Sequence, residues 1–407
     1  MSFSIEAAGE AAPLNLQNLT NTLQSASSSN AHQIKAGASQ LGQWETRPSF
    51  HASLQTVFLS DSLPFEVRYL AIIQLKNGID KYWRKTAPNA VSKDEKTEIR
   101  ERLLLGVNEP DRRLSLQNAL VTAKVVRYEF PSEWPDVMTR ILSVIRESLN
   151  ANANPLHLPG ALRILLKVVK ELATGRLART KTSLQSVTPE IFHVLGNIYI
   201  DKVNRWQGFL HNGGDGSIAF NDIQNSLLLI KVIRRLLIAG YEFPNRDSEV
   251  TEFWGLVTDK LAQFLQTLSA VGVNMSLELR MLIEKNLINL SKLHHEMCST
   301  HPAAFILLPG SIQLVGAYWS LITDFGNVYN EPSPLDTLFT IGTDGDADPD
   351  ERSVGEKLSL KGLQIVRLCV KMVHNPTKSF KYRQPQEKEE KAQATSTVKS
   401  ELLTNGF

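Results

Sequence analysis

From Leu14 to about His374, apolar residues recur at the period of an α-helix, and no stretch alternates apolar and polar residues as a half-buried strand would. The interruptions are short and carry turn or cap chemistry. They include Ser27-Ser28-Ser29-Asn30, Pro48, Asp61-Ser62 ahead of Pro64, Glu109-Pro110-Asp111 and the Asn150–Pro159 stretch. Short connections make successive helices antiparallel neighbours. The apolar face of each helix is too broad to bury against one partner, so the pairs must stack, and the pattern holds about seven of them. This predicts an all-α solenoid. An array grows by stacking, so the length of 407 residues does not translate into a domain count.

The pattern places helices over Leu14–Ser25, Ala31–Glu45, Pro48–Leu59 and Glu66–Trp83. Ser92, with Glu95 three residues on, reads as a capping box opening a helix to about Val107. Further helices end near Phe130, Leu149 (from Pro135) and Gly175. Beyond them the pattern covers Pro189–Phe209, Ile218–Gly240, Glu249–Leu268, Leu277–Cys298, Pro302–Phe325 and Val354–His374. The sequence Tyr-Glu-Phe-Pro occurs twice, at 128–131 and 241–244, each time where a second helix of a pair is expected to stop.

Glu66–Trp83 stands out among these helices. Val67, Ala71, Leu75 and Gly78 form one stripe, and Glu66, Tyr69, Ile73, Lys76, Asn77 and Asp80 the other. Ile73 is an apolar residue on the wet stripe, which reads as an anchor for a partner.

A formal charge of +2 argues against nucleic acid as a bulk partner. The two cysteines, Cys298 and Cys369, lie far apart in sequence without metal or redox spacing and fit a reducing compartment. The N-terminus shows neither the basic nor the apolar region of a secretory signal. Pro302–Thr323 is uncharged and of membrane-spanning length, but Pro309, Gly310, Ser311, Gln313 and Ser320 interrupt it, so a buried helix is expected. Asp344, Asp346 and Asp348 begin like a calcium loop, yet Pro349 and Gly355 occupy the positions that need Gly and Glu; an acidic loop over 343–351 is expected. His294 and Cys298 share a helix face without a second ligand pair, and the glycines of 212–216 lack the strand and Lys-Ser/Thr of a phosphate loop. No enzymatic constellation, metal or cofactor is expected.

The ordered set Leu41–Trp44, Pro48, Val67-Arg68, Ala71, Leu75-Lys76-Asn77, Ile79, Trp83, Lys96, Ile99-Arg100, Leu103-Leu104 and Phe130-Pro-Ser-Glu-Trp-Pro-Asp136 resembles the N-terminal region of the importin-β (karyopherin-β) transport receptors. The later helices, Leu229–Gly240 among them, look most like the importin-eleven branch. The resemblance implies a right-handed superhelical HEAT-repeat solenoid whose N-terminal repeats hold the small GTPase Ran in its GTP form on the concave side. It also implies protein cargo on the inner surface, Phe-Gly nucleoporins between outer helices, shuttling between cytoplasm and nucleus through pores of the nuclear envelope, a monomer, and no hydrolysis by the receptor. Direct nucleic-acid binding and membrane insertion are not implied. On this mapping residues 1–142 are the Ran-binding repeats, 143–375 are further repeats, and 376–407 are a polar tail, the start of more repeats or disordered. Such receptors are longer arrays, so the chain reads as an N-terminal portion of one. Glu66–Trp83 becomes the second helix of the second repeat.

The residues expected to meet Ran are Ile73, Lys76, Asn77 and Asp80, then Asn118, Thr122 and Lys124 on the next lining helix, and Lys167 and Lys170 on the one after. Arg68 is expected to tie adjacent repeats together, and Trp83, Pro131, Trp134 and Pro135 to pack the turns. An exportin of the same superfamily, or a HEAT or armadillo scaffold without a GTPase, stands as the alternative.

Overall fold

The structure, a computed structural model, describes residues 13–150, 152–175, 178–212, 216–271, 276–327, 353–374 and 385–404, and among these residues there is no strand. The chain divides into two compact units, Met1–Ser183 and Leu184–Phe407.

The first unit holds α1 (Leu16–Ala26), α2 (Ala31–Trp44), α3 (Phe50–Leu59), α4 (Phe65–Tyr82), α5 (Lys93–Arg102), α6 (Arg112–Glu129), α7 (Val137–Glu147) and α8 (His157–Ala173). Side chains of Asn15, Asn30, Ser92 and Asp111 accept hydrogen bonds from first-turn amides and fix where α1, α2, α5 and α6 begin. The expected capping box at Ser92 forms only by half. Ser92 Oγ accepts from the Glu95 amide at 3.2 Å, but the Glu95 carboxylate reaches across to α3. There it accepts from the amides of Ser49, His51 and Ala52 at 3.0, 2.9 and 3.1 Å. Ser49 has φ 63° and makes no cap of its own, so the next helix pair supplies it. α5 tightens at its end into a 3-10 turn over Leu103–Asn108.

The pairs α3/α4, α5/α6 and α7/α8 stack so that α4, α6 and α8 lie side by side in one layer, while α3 packs on α5 in the other. Val67, Ala71, Leu75 and Gly78 are all buried, as the period of the sequence predicts. Gly160 lets α8 approach the 3-10 turn, because a Cβ there would sit 1.9 Å from the Val107 carbonyl oxygen. Gly160→Ala must push backbone from backbone and is expected to cost about 2 kcal/mol, read as a lower denaturant midpoint.

The second unit contains α9 (Ala178–His211), whose start precedes the unit boundary, α10 (Gly216–Ala239), α11 (Ser248–Thr258), α12 (Lys260–Val271) and α13 (Leu277–Thr300). α14 (Pro302–Leu307), α15 (Ser311–Asn327), α16 (Val354–His374) and α17 (Pro385–Thr404) follow. α13 packs between α10 and α16, and α15 packs on α16. Arg234 on α10 pairs with Glu296 on α13 at 3.1 Å, and Asn286 on α13 donates to the Ile223 carbonyl at 3.2 Å.

Several expected boundaries move. α9 runs through Pro189 instead of starting there, and the proline is exposed on the helix surface. Glu249–Leu268 is two helices that part at Asp259. Pro302–Phe325 breaks at Leu308–Gly310, where Gly310 takes φ 75°. No helix among the described residues is long and apolar enough to cross a membrane. In the polar tail, 385–404 is helical. The acidic loop over 343–351 and the glycines of 213–215 lie outside the described residues. The two Tyr-Glu-Phe-Pro copies are not equivalent. Tyr128-Glu129 closes α6 and Glu129 is buried, whereas Tyr241-Glu242 follows the end of α10 and Glu242 is exposed.

Candidate functional site

The α4–α6–α8 layer presents one solvent-facing side, and the candidate residues distribute unevenly over it. On α4, Ile73 and Lys76 are half-buried, and Asn77 and Asp80 are exposed. Lys76 donates to Gln117 on α6 at 2.9 Å, and Lys124 on α6 pairs with Asp80. These two contacts are rungs between neighbouring helices, and the ladder continues where Arg127 on α6 meets Glu171 on α8 at 2.7 Å. Arg113 lies 3.9 Å from the centre of the Phe65 ring, and Arg84 lies 5.5 Å from that of Tyr128. The face therefore carries fixed rather than freely moving charges, with Ile73 and Asn77 standing between the rungs.

Asn118 and Thr122 do not belong to this face. Both are buried, at 2% and 0% exposure. The Asn118 amide donates to the Leu103 carbonyl at 3.2 Å, and the Thr122 hydroxyl donates to the Asn118 carbonyl at 2.9 Å. α6 is packed by α4, α8 and the 3-10 turn, so its apolar arc is wider than the sequence pattern indicates. Polar side chains that satisfy themselves on backbone carbonyls fill that arc.

Lys167 and Lys170 lie on α8, which packs on α6. Lys167 is half-buried and Lys170 exposed. Burial, with the neighbouring Lys170 charge, pulls the Lys167 ammonium below its usual pKa.

Beneath the face lies a frame of buried ions. Arg68 donates through Nε to the Phe58 carbonyl at 2.8 Å and through Nη2 to Glu109, and also meets Asp61 at 3.0 Å. Trp83 caps α4, is buried, and donates from its indole to Glu129 at 3.1 Å. Arg100 meets the same carboxylate at 3.0 Å, and Lys96 lies 5.6 Å from the Trp83 ring centre. Burial pushes the Glu129 carboxyl up, opposed by Arg100 and the Trp83 bond. Trp134 is buried and Pro131 half-buried in the turn after α6. Pro135 is exposed and packs little, because α7 begins two residues later at Val137.

The remaining chemical candidates are structural. His294 is fully buried, and its Nδ1 lies 3.0 Å from the Tyr318 hydroxyl. Cys298 and Cys369, distant in sequence, meet across α13 and α16, and their mutual hydrogen bond and burial push the Cys298 thiol well up. Among the described residues no group of three or more His, Cys, Asp or Glu side chains could hold a metal ion.

Glu109, Gln117 and Glu129, all central here, were not among the site residues the sequence pointed to, and Glu95 was expected only as part of a capping box. A signal for them exists. In the first unit most of the polar contacts between successive pairs from α3 to α8 join residues 41 to 48 apart, as in Lys76–Gln117, Asp80–Lys124 and Arg163–Ser115. One repeat of a HEAT array has about that length.

Residues 38–109, which span α3, α4, α5 and the 3-10 turn, match the importin-beta N-terminal domain. The chain belongs to the importin-β family. The importin beta-like protein KAP120 of Saccharomyces cerevisiae is 31% identical over 373 residues, covering 89% of this chain and 33% of the yeast protein. Human Importin-11 is 29% identical over 297 residues, covering 73% of this chain and 30% of its own. The solved structure of Lph2, described as a bidirectional nuclear transport receptor in S. cerevisiae, superposes with a TM-score of 0.76 at 29% identity, covering 96% of this chain and 34% of that one. The fold is thus that of an importin-β HEAT solenoid, and the chain spans about a third of the length of the relatives it matches.

Proposed function

We propose that this importin-β family chain acts in nuclear transport, holding Ran-GTP on the α4–α6 face of its first unit while protein cargo and Phe-Gly nucleoporins bind elsewhere on the solenoid. The observation that carries the reading is the match of 38–109 to the importin-beta N-terminal domain, coinciding with the face on which Ile73 and Asn77 remain available between fixed charges. The relatives' importin names and the transport role of Lph2 support the coarser part of the reading. The protein would shuttle between cytoplasm and nucleus and pass the nuclear envelope at pores, as a monomer with no chemical step of its own. Import is the direction the importin names favour; transport in both directions is a second reading, favoured by the likeness to Lph2.

A solenoid face recognises its partner by shape and charge register, so the contact needs an apolar anchor more than a reactive group. Ile73 is that anchor, and Lys76 and Asp80, held by Gln117 and Lys124, set the register. Retention of Ran loaded with a non-hydrolysable GTP analogue, with little retention of the GDP form, is the expected result on the immobilised chain. Equal or absent retention of both forms would remove Ran from the account.

A further inference from the structure

Many cations of the first unit are matched by carboxylates: Lys124 meets Asp80, Arg127 meets Glu171, Arg100 meets Glu129 and Lys85 meets Glu133. Others, such as Lys35 and Lys93, are exposed and stand singly. One group of unmatched cations is clustered and partly buried. Arg112 at the start of α6 and Arg163, Lys167 and Lys170 along α8 share one corner of the layer, and none of the four makes an ion pair among the described residues. The one acid of α8, Glu171, is taken by Arg127. Arg163 is half-buried and donates to the buried hydroxyl of Ser115, which holds the guanidinium in place. Burial and the nearby Arg112 charge depress the Arg163 pKa, and burial and Lys170 depress that of Lys167. Like charges partly withdrawn from water and left unneutralised cost free energy, and an anionic partner would relieve that cost.

We propose that this corner docks an acidic peptide segment, a run of Asp and Glu residues on a partner protein. From Arg163 to Lys170 the stripe rises about 10 Å along α8, which an extended run of three to four residues spans at about 3.3 Å each. Arg112 and Arg163 flank the run from α6 and from the start of the stripe. A compact set of four cations suits a short acidic segment. A nucleic-acid backbone requires a longer track of positive charge, and the chain as a whole has a formal charge of only +2. The site lies on α8 and the start of α6, beside the α4–α6 face, and its binding of an acidic peptide is read without Ran.

The test is fluorescence anisotropy of a labelled oligo-glutamate peptide against the full chain at low and at moderate salt. The expected result is saturable binding that weakens with salt, and that falls at least about tenfold in Lys167→Glu with Lys170→Glu. Lys35→Glu, an exposed change on α2, should leave it unaltered. Lys167→Gln with Lys170→Gln, milder for folding, should weaken binding in the same direction, with helicity by circular dichroism unchanged. Unaltered affinity in both Lys167/Lys170 variants would overturn the proposal. So would binding of an oligo-adenylate RNA of equal charge at equal strength, since that would identify a general polyanion surface.

Discussion

Replacing Arg68 with alanine is expected to destabilise the first unit by about 3–5 kcal/mol, the scale on which a buried ion is stranded. Arg68 is 8% and Glu109 7% exposed, so neither charge can turn to solvent when its partner is removed. The guanidinium also holds the Phe58 carbonyl at the end of α3 and lies 5.8 Å from the Phe58 ring centre. One side chain therefore joins the α3–α4 pair to the turn ahead of α6. The Glu109 carboxylate, which also accepts from the Asp111 amide at 3.0 Å, would be left without a counter-charge. Adding Glu109→Gln to the Arg68→Ala variant removes the stranded charge and should recover part of the loss, a coupling that a double-mutant cycle isolates. Because a stacked array can open locally, hydrogen exchange of α4 amides should be followed beside denaturant unfolding. A loss below about 1 kcal/mol would mean that Arg68 is not the tie between these repeats.

The second unit should lose about 2–3 kcal/mol of stability between pH 6.5 and 4.5 through His294 alone. Its ring is packed edge-on against Trp254 and Tyr318, and burial lowers its pKa to about 3. The unfolded chain has an ordinary imidazole near 6.5 and takes up a proton below that pH, while the folded chain does not. More protons on the unfolded side mean that stability falls as pH falls, from the unfolded pKa down towards the folded one. His294→Leu removes the titrating group and should flatten this part of the curve; Tyr318 keeps its bond to Ser291. In the first unit His51, also lowered mainly by burial, works in the same direction against the opposing charge of Glu95. An acid limb that is as steep in His294→Leu as in the parent chain would refute the assignment.

The helical layout was legible in the sequence because period and turn chemistry act locally. Val67, Ala71, Leu75 and Gly78 fall on the buried side of α4, and Val354–His374 is a helix with those bounds. The solvent-facing residues were legible on α4, whose buried stripe is apolar, and less so on α6, where polar residues fill part of the buried arc. Asn118 and Thr122 look wet because their polarity is visible and the carbonyls that satisfy them are not. Glu95 looks like the second half of a capping box, and only tertiary structure reveals the uncapped start of α3 that draws it away. Cys298 and Cys369 are 71 positions apart and nevertheless near enough for Cys369 to push up the Cys298 thiol, because stacking brings α16 beside α13. Partners one repeat apart are a property of the array, so those of the first unit appear only once its spacing of 41 to 48 residues is known.

The face itself is tested by titrating Ran, loaded with a non-hydrolysable GTP analogue, into the intact chain and into Ile73→Asp. Ile73 is half-buried on the solvent side of α4, so the substitution places a charge where a partner must exclude water while leaving the buried stripe intact. A loss of at least about 2 kcal/mol in binding, some thirtyfold, is expected, with unchanged helicity. Equal affinity of the two chains for Ran-GTP would contradict it and move the contact away from α4.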